Sequence, residues 1–434
     1  MKKIPNIVII GGGAGGLHLA TSLGRQLGKK KQACITLIDH SLIHIWKPLL
    51  HEVAVGTIDT YEHEINHIFH ASANFFNFQL GKLHSLNRAN KSITLLIKPE
   101  NTKLQSTKYY TVTYDILVIS IGSTSNNYNI PGADLYCCYL DSLQQAKQFQ
   151  KSFLEEVMAS QQLKEQSQKI NIAIIGAGAT GVELSAELHY AIKQIQKYQI
   201  KQYDPKINIS LIEASTRILS TLPTRIAKLA LKKLHHININ ILTNEKIVSV
   251  TKEGVTTASG KFINANLKIW AAGIKGDNVL SNLDGLSTNH ISQLLVKQTL
   301  QTTLDHNVYA FGDCAACPIQ NIGKVFAPPR AQVASQQASL LTRSIIGIIR
   351  YNNIPLHYSY RDNGSLISIS KQGTIGYFIK KNFSKLFIEG FIARICYVSL
   401  HKIYQIKLRG IVAVSLITLT KAIMNRIKPK LKLH

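Results

Sequence analysis

The sequence predicts an α/β chain of two parallel-sheet domains, the second inserted in the first, followed by an amphipathic helical carboxyl-terminal region. Three observations predict it. The apolar run Ile7-Val8-Ile9-Ile10 leads into Gly11-Gly12-Gly13-Ala14-Gly15-Gly16, and a second, Ile172-Ala173-Ile174-Ile175, leads into Gly176-Ala177-Gly178-Ala179-Thr180-Gly181. The last stretch, Phe391 to His434, carries nine Lys or Arg and no Asp or Glu. Short apolar runs that end on glycine have the length of buried parallel strands, and the residues after each have helical spacing.

Both glycine runs satisfy G-x-G-x-x-G, 165 positions apart. In that pattern the first glycine makes a tight turn, the second lets backbone approach a pyrophosphate and the third allows close helix-strand contact. The following helix N-terminus offers N–H groups and a positive dipole end to phosphate. Each unit therefore reads as a Rossmann-like dinucleotide-binding domain. One match of this kind is also an ordinary glycine-rich strand-helix turn, so the acids that follow matter. Ile35-Thr36-Leu37-Ile38 ends at Asp39, 23 residues past Gly16, close to the roughly 20 expected for a ribose-binding carboxylate. Ile209-Ser210-Leu211-Ile212 ends at Glu213, 32 residues past Gly181. The excess is the polar stretch Gln194 to Asn208, which reads as a helix extension and surface loop. A carboxylate accepts hydrogen bonds from a ribose 2′-OH and repels a 2′-phosphate, which points to NADH in the second domain, with nearby Arg217 working against that preference.

Further along, Tyr114 to Gly122 is an apolar strand that closes the first unit near Asn126. The second unit closes in the same way, with Leu267-Lys268-Ile269-Trp270 running into Ala271-Ala272-Gly273. Asn307 to Asp313 is another strand, with an acid at its carboxyl end, where ligands sit in open α/β sheets. It is expected to return to the first sheet. The domains so drawn are 1–128 with 271–350, then 129–270, then 351–434, where a small cap of Ser-rich strands (Ser365-Leu366-Ile367-Ser368-Ile369-Ser370) precedes the basic tail.

A chain of 434 residues has material for two or three domains, and a net charge of +26 calls for a partner or a surface. Met1-Lys2-Lys3 runs straight into the first strand, so the amino end is expected to stay in the cytoplasm. Cys34, Cys137, Cys138, Cys314, Cys317 and Cys396 are scattered, which suits a reducing compartment. In the tail, apolar residues interleave with the basic ones, and the uncharged run Gly410 to Thr420 falls far short of the roughly 20 residues that span a bilayer. Basic, amphipathic and non-spanning together describe a surface anchor for anionic lipid over residues 391–434. The alternative is a core helix pair with a solvated basic edge. No nucleic-acid-binding module is visible, and the tail is too apolar for a solvated arm, so nucleic acid is not an expected partner.

At this point the chain resembles the two-dinucleotide-binding-domain flavoproteins. Within them it is similar to the bacterial type II NADH dehydrogenases, single-chain NADH:quinone oxidoreductases that do not pump protons. The carriers are GGGAGG from Gly11, IWKPLLHEVAVG (Ile45 to Gly56), GAGATGVELSAELH (Gly176 to His189), IWAAGIK (Ile269 to Lys275), FGDCAACP (Phe311 to Pro318) and PPRAQVASQQ (Pro328 to Gln337). The glycine motifs are shared across the superfamily. The WKPLL and AQxxxQ segments belong more narrowly to the quinone-reducing branch, and the likeness covers nearly the whole chain.

The resemblance implies non-covalent FAD on Gly11, Gly13, Ala14, Gly15, Gly16, Asp39, Lys47, Gly122, Gly312, Asp313, Ala331 and Gln332. It implies NADH as substrate on Gly176, Gly178, Gly181, Glu183, Glu213, Ala272 and Gly273. Glu183, Gln332 and Gln336 would be the catalytic residues, with Glu183 between nicotinamide and flavin and the two glutamines beside the quinone headgroup. A helix opened by Pro328-Pro329 would turn its positive end to the flavin. The segment around Trp46 and Lys47 lacks the redox cysteine pair of disulfide reductases, so dithiol exchange is not expected. Each role has a plainer counterpart: Asp313 as a strand-end turn acid, Glu183 as a first-turn acid serving the dipole, the glutamines as a solvated stripe. Cys314-Ala315-Ala316-Cys317 reads as buried packing rather than a redox or soft-metal pair, and no metal is expected.

The implied reaction passes hydride from NADH to FAD and two electrons to a membrane quinone of the respiratory chain. The implied place is peripheral, on the cytoplasmic face of the bacterial inner membrane, and a homodimer is left open. Two rivals stand beside it: a soluble NAD(P)H-dependent ferredoxin or rubredoxin reductase, and a non-catalytic nucleotide-sensing flavoprotein.

Overall fold

Runs of Ile, Val and Leu form the middle of two five-stranded parallel sheets in the computed structural model, which describes residues 3–97, 108–162, 169–198, 207–319, 325–379 and 384–424. The first sheet has the order Val308–Ala310, Ile116–Ile119, Asn6–Ile10, Cys34–Asp39, Asn77–Leu80, with every neighbour parallel. The second repeats that plan with Cys138–Tyr139, Leu267–Trp270, Ile170–Ile175, Ile207–Ile212 and Asn240–Leu242. Parallel strands need crossovers that cover both faces, which is why these runs are continuously apolar rather than alternating. Ile7, Val8, Ile9, Ala173 and Ile174 are fully buried.

The chain divides into two compact units, 1–46 with 63–124 and 274–361, and 47–62 with 125–273 and 362–434. Val308 lies in register with Leu117, so the late strand does return to the first sheet and the second domain is an insertion. The boundaries differ from those drawn on the sequence: 351–361 group with the first unit, 125–128 and 271–273 with the second, and two longer segments move as well. Residues 47–62 group with the second unit because the helix Leu50–Ala54 packs on the helices Leu143–Gln162 and Ala179–Tyr198. Residues 362–434 join the same unit, with no separate third body, because the strands Gly364–Ser368 and Thr374–Ile379 pack on Ala179–Tyr198 and Thr224–His236.

Each unit also holds an antiparallel meander inserted before the strand that pairs with the one leading into its glycine loop. In the first it is Lys82–Asn87, Ser92–Ile97 and Lys108–Thr113, and in the second Ile247–Val250, Gly254–Thr257 and Phe262–Asn264. The polar stretch expected as a helix extension is helical to Tyr198. Residues 199–206 lie outside the described residues, and Ile207 opens the next strand.

The Ser-rich segment gives the first strand of a three-stranded antiparallel sheet completed by Thr374–Ile379 and Lys385–Glu389. Two helices follow, Gly390–Arg409 and Ile411–Met424, separated at Gly410, whose φ of 84° a helix cannot continue. The first buries Ala393, Tyr404 and Leu408 while Phe391 and Ile392 stay 77% and 66% exposed. Among the described residues no helix is long and apolar enough to cross a membrane. The terminal residues Arg426 to His434 lie outside them.

Candidate functional site

Within the first unit, Gly11 turns the chain from strand to helix with φ 100°, and a Cβ there would strike the carbonyl of Ser120 on the neighbouring strand end. A Cβ on Gly16 would strike the carbonyl of Gly11, so helix and turn touch only because both residues lack one. Gly13 faces open space, with nothing within 4 Å of where its Cβ would be. The helix Ala14–Leu23 starts there, with no side-chain cap on its N-terminus and no acid in its first turn. Its first N–H groups are orphan donors around an open glycine, which fits a phosphate group.

Asp39 fixes this loop from the adjacent strand. Its Oδ2 accepts from the Gly12 amide and its Oδ1 from the Ser41 amide at 2.8 Å. The second unit builds the same device: Glu213 Oε2 accepts from the Ala177 amide and Oε1 from the Ser215 amide, both at 2.8 Å. Gly176 has φ 102° and a Cβ there would meet Ala272; Gly181 abuts the Gly176 carbonyl, and Gly178 faces open space like Gly13. In both cradles the carboxylate binds one loop amide and one amide of its own turn. Asp39 Oδ1 also lies 3.3 Å from His40 Nδ1, and the lone pairs that remain on each carboxylate can accept from a ribose hydroxyl.

Arg217, the residue that argued against NADH, is engaged elsewhere. Its guanidinium donates to the carbonyls of Leu219 at 3.0 Å, Ser220 at 2.6 Å and Leu222 at 2.9 Å, tying down the turn that follows the strand. Gly273 has φ 67°, where a Cβ would collide with the Tyr128 hydroxyl, and the Ala272 carbonyl accepts from Trp270 Nε1 at 2.9 Å.

Around Asp313 the first unit places three supports that sequence reasoning missed. Ser123 Oγ donates to Asp313 Oδ2 at 3.2 Å, Gln293 Nε2 donates to the Asp313 carbonyl at 2.9 Å, and the Gly312 amide donates to Gln337 Oε1 at 2.8 Å. Gly312 and Gly122 both have φ 74°. The helix Ala331–Tyr351 begins as expected after the proline pair, uncapped by any side chain at Arg330. Gln332 sits half-buried in its first turn.

Gln336 is arranged differently from the expectation. Its amide closes a ring with the Arg361 backbone, donating to the carbonyl at 2.8 Å and accepting from the amide at 3.2 Å, and it also accepts from the Tyr358 hydroxyl at 3.1 Å. The side chain is thus occupied in strapping the extended segment through Arg361 to the helix. Lys47 lies exposed on the short turn Lys47–Leu49 of the second unit.

Histidines near the first glycine loop gave no sequence signal, since imidazole is a common core residue. His44 Nδ1 lies 2.9 Å from the Gly12 carbonyl, and His67 packs where a Gly12 Cβ would be, its ring stacked 5.0 Å from Phe78. Burial pushes His67 down to about 4, against the pull of Asp39, so at neutral pH it meets the loop uncharged.

In the second unit Glu183, on the helix Ala179–Tyr198, is buried and accepts from the Ser368 amide at 2.9 Å. Burial pushes its carboxyl up to about 8, assisted by the charge of Glu52 and opposed by the hydrogen bonds from Ser368 and Tyr397. An acid poised near neutrality can give or take a proton. Cys314 and Cys317 are both buried, and burial pushes each thiol up to about 12. Neither is a thiolate at neutral pH.

Residues 5–338 match the family described as pyridine nucleotide-disulphide oxidoreductase. The chain is 39% identical to a type II NADH:quinone oxidoreductase of Haemophilus influenzae, over 99% of this chain and 100% of that protein. It is 23% identical to the type II NADH:quinone oxidoreductase NdhA of Mycobacterium tuberculosis, over 94% and 85% of the two chains. Among solved structures, NDH2 from Plasmodium falciparum in complex with NADH superposes with a TM-score of 0.83 at 20% identity, covering 99% of this chain and 100% of that one.

Proposed function

Because the chain belongs to the pyridine nucleotide-disulphide oxidoreductase family, and within it to the type II NADH:quinone oxidoreductases, we propose that the two cradles and the buried acid described above are its working parts. The protein is an NADH:quinone oxidoreductase with FAD as cofactor and NADH as substrate. The 39% identity that leaves no part of the Haemophilus influenzae relative uncovered carries this reading, and it favours quinone over a ferredoxin-type acceptor.

Bound FAD supplies a hydride acceptor and a two-electron store between NADH and quinone. Gly11, Gly13, Ala14, Gly15 and Gly16 hold its pyrophosphate against the uncapped helix start, and Asp39 its ribose. Asp313, braced by Ser123, Gln293 and Gln337, holds the polar chain of the cofactor with Gly122 and Gly312. The helix N-terminus at Ala331 and Gln332 places a positive dipole end where negative charge develops. Gly176, Gly178 and Gly181 take the NADH pyrophosphate and Glu213 its ribose, with Ala272 and Gly273 shaping the floor. Glu183 holds or passes a proton at its carboxyl oxygens. Gln332 orients the quinone, and Gln336 keeps the Arg361 segment in place.

The carboxyl-terminal helices bear no acidic residue from 391 onward. Phe391, Ile392, Ile411 and Val412 are more than half exposed there, which supports peripheral attachment to an anionic membrane surface on its cytoplasmic side. The test is NADH oxidation by FAD-loaded protein in lipid vesicles with and without a ubiquinone or menaquinone analogue. Turnover that requires quinone and prefers NADH to NADPH is expected. Flavin bleaching by NADH with no quinone turnover would overturn the reading.

A further inference from the structure

One buried acid in the second unit has no part in the roles above. Glu187 lies one helical turn beyond Glu183 on the helix Ala179–Tyr198, on the same face, and only 7% of it is exposed. Polar groups of three other segments meet it. The Ser370 hydroxyl hydrogen-bonds its carboxylate, Thr57 is within hydrogen-bond reach, and the charges of Lys371 and Arg394 lie close by. Lys371 and Arg394 are exposed to solvent. The inner acid, Glu183, faces Ser368, Glu52 and Tyr397 instead.

The file of groups therefore runs from a deeply buried carboxyl, through a second carboxyl, to a cationic rim in water. Thr57 adds a detail about protonation. Its hydroxyl lies 3.2 Å from the Glu52 carbonyl and also reaches the Glu187 carboxylate, a contact that favours the ionised form. Burial pushes Glu187 upward, while Ser370, Arg394, Lys371 and Thr57 pull it back. A group balanced in this way can hold a proton and release it.

Reduction of quinone by NADH consumes one proton from bulk water per turnover: NADH, H⁺ and quinone become NAD⁺ and quinol. We propose that Glu187 is the outer station of a two-carboxyl relay that carries this proton from the Lys371 and Arg394 rim to Glu183. The step changes no oxidation state. An O–H bond on Glu187 breaks as one forms on Glu183, directly or through a bridging water, and Glu187 is reprotonated from solvent between its two cations. The proposal rests on the quinone-reductase reading and on Glu183 as the inner proton carrier. Glu187 acts through Glu183, so it is a positioning and relay group rather than a catalytic residue.

The test uses the FAD-loaded full chain in quinone-containing vesicles, with Glu187→Gln and Glu187→Asp. Anaerobic bleaching of flavin by NADH takes up no bulk proton, and both variants should retain its rate and the KM for NADH. Turnover of Glu187→Gln should fall on the order of tenfold above neutral pH, below the full value of a direct proton donor. Its solvent deuterium isotope effect on kcat should rise, and Glu187→Asp or added imidazole buffer should restore part of the rate. A pH profile and isotope effect of Glu187→Gln equal to wild type would overturn the relay. Wild-type protein that bleaches with NADH but never reduces quinone would instead remove the functional reading beneath it.

Discussion

The Ser368 amide and the Glu183 carboxylate, 185 positions apart in sequence, are joined by a hydrogen bond of 2.9 Å. It brings a late strand of the chain to a buried acid on the helix after the second glycine loop. One such bond stabilises a carboxylate, but burial outweighs it and the carboxyl still sits at about 8.

Stability should record that imbalance. The folded chain holds a proton on Glu183 up to about pH 8, whereas an unfolded glutamate loses it near 4. The folded state binds more protons between those limits, so this contribution is complete below about pH 4 and is lost as pH rises through 8. Glu183→Gln should therefore melt higher than wild type at pH 9 but not at pH 5, by on the order of a few kcal/mol. Its turnover should drop on the order of a hundredfold if the carboxyl moves the proton. A melting difference independent of pH would contradict the raised carboxyl.

Nucleotide choice should rest on Glu213 with no help from Arg217. Glu213→Gln is expected to lower kcat/KM for NADH by about tenfold, the scale of one lost charged hydrogen bond. NADPH should still be the poorer substrate, because all three Arg217 contacts run to backbone carbonyls. Initial rates with the two nucleotides decide this, and a variant that prefers NADPH would show Arg217 swinging free.

The two cradles should fail separately. Gly11→Ala puts a methyl against the Ser120 carbonyl at a φ of 100°, and the protein should purify with little flavin by its visible absorbance. Gly176→Ala puts one 2.7 Å from the Ala272 backbone and should keep its flavin while the KM for NADH rises about tenfold or more. Flavin loss in both would mean the sites are not independent.

Gln332 and Gln336 should separate in the same way. Gln336→Ala strands the Arg361 amide and carbonyl and the Tyr358 hydroxyl, and should cost about 1–3 kcal/mol in denaturant unfolding. Gln332→Ala should raise the KM for quinone. The reverse pattern would return Gln336 to the quinone.

Deleting residues 411–434, or changing Phe391 and Ile392 to Glu, should abolish co-sedimentation with anionic vesicles. Each lost Lys or Arg near such a surface removes roughly 1 kcal/mol. Wild-type binding should weaken as salt is raised. Flavin reduction by NADH should survive in the variants, and vesicle binding equal to wild type would assign the exposed face to another partner.

Much of this was legible because a few devices have strong local causes. G-x-G-x-x-G after an apolar run dictates a turn, and Asp39 and Glu213 at the next strand end are where the loop amides Gly12 and Ala177 point. The return of Val308–Ala310 followed from an acid at a strand end. The two meanders were not read because strands such as Lys108–Thr113 are half polar and carry no turn signature as clear as glycine. Gln337, Gln293 and His67 escaped for another reason. Their partners lie 25, 20 and about 55 positions away and become neighbours only once the sheet exists. Gln336 shows another limit, since a one-turn spacing with Gln332 puts two amides on a face without saying what each touches.

The pairing of Val308–Ala310 with Ile116–Ile119 also bears on synthesis. As the chain leaves the ribosome, the second parallel sheet has all its strands by Trp270, whereas the first waits some forty residues more for its edge. During that interval the strand Ile116–Ile119, wholly buried in the finished protein, presents an unpaired ladder to its surroundings. Long-range pairing of this kind slows folding, so the nascent chain is at its most aggregation-prone late in translation, after the inserted sheet is already complete.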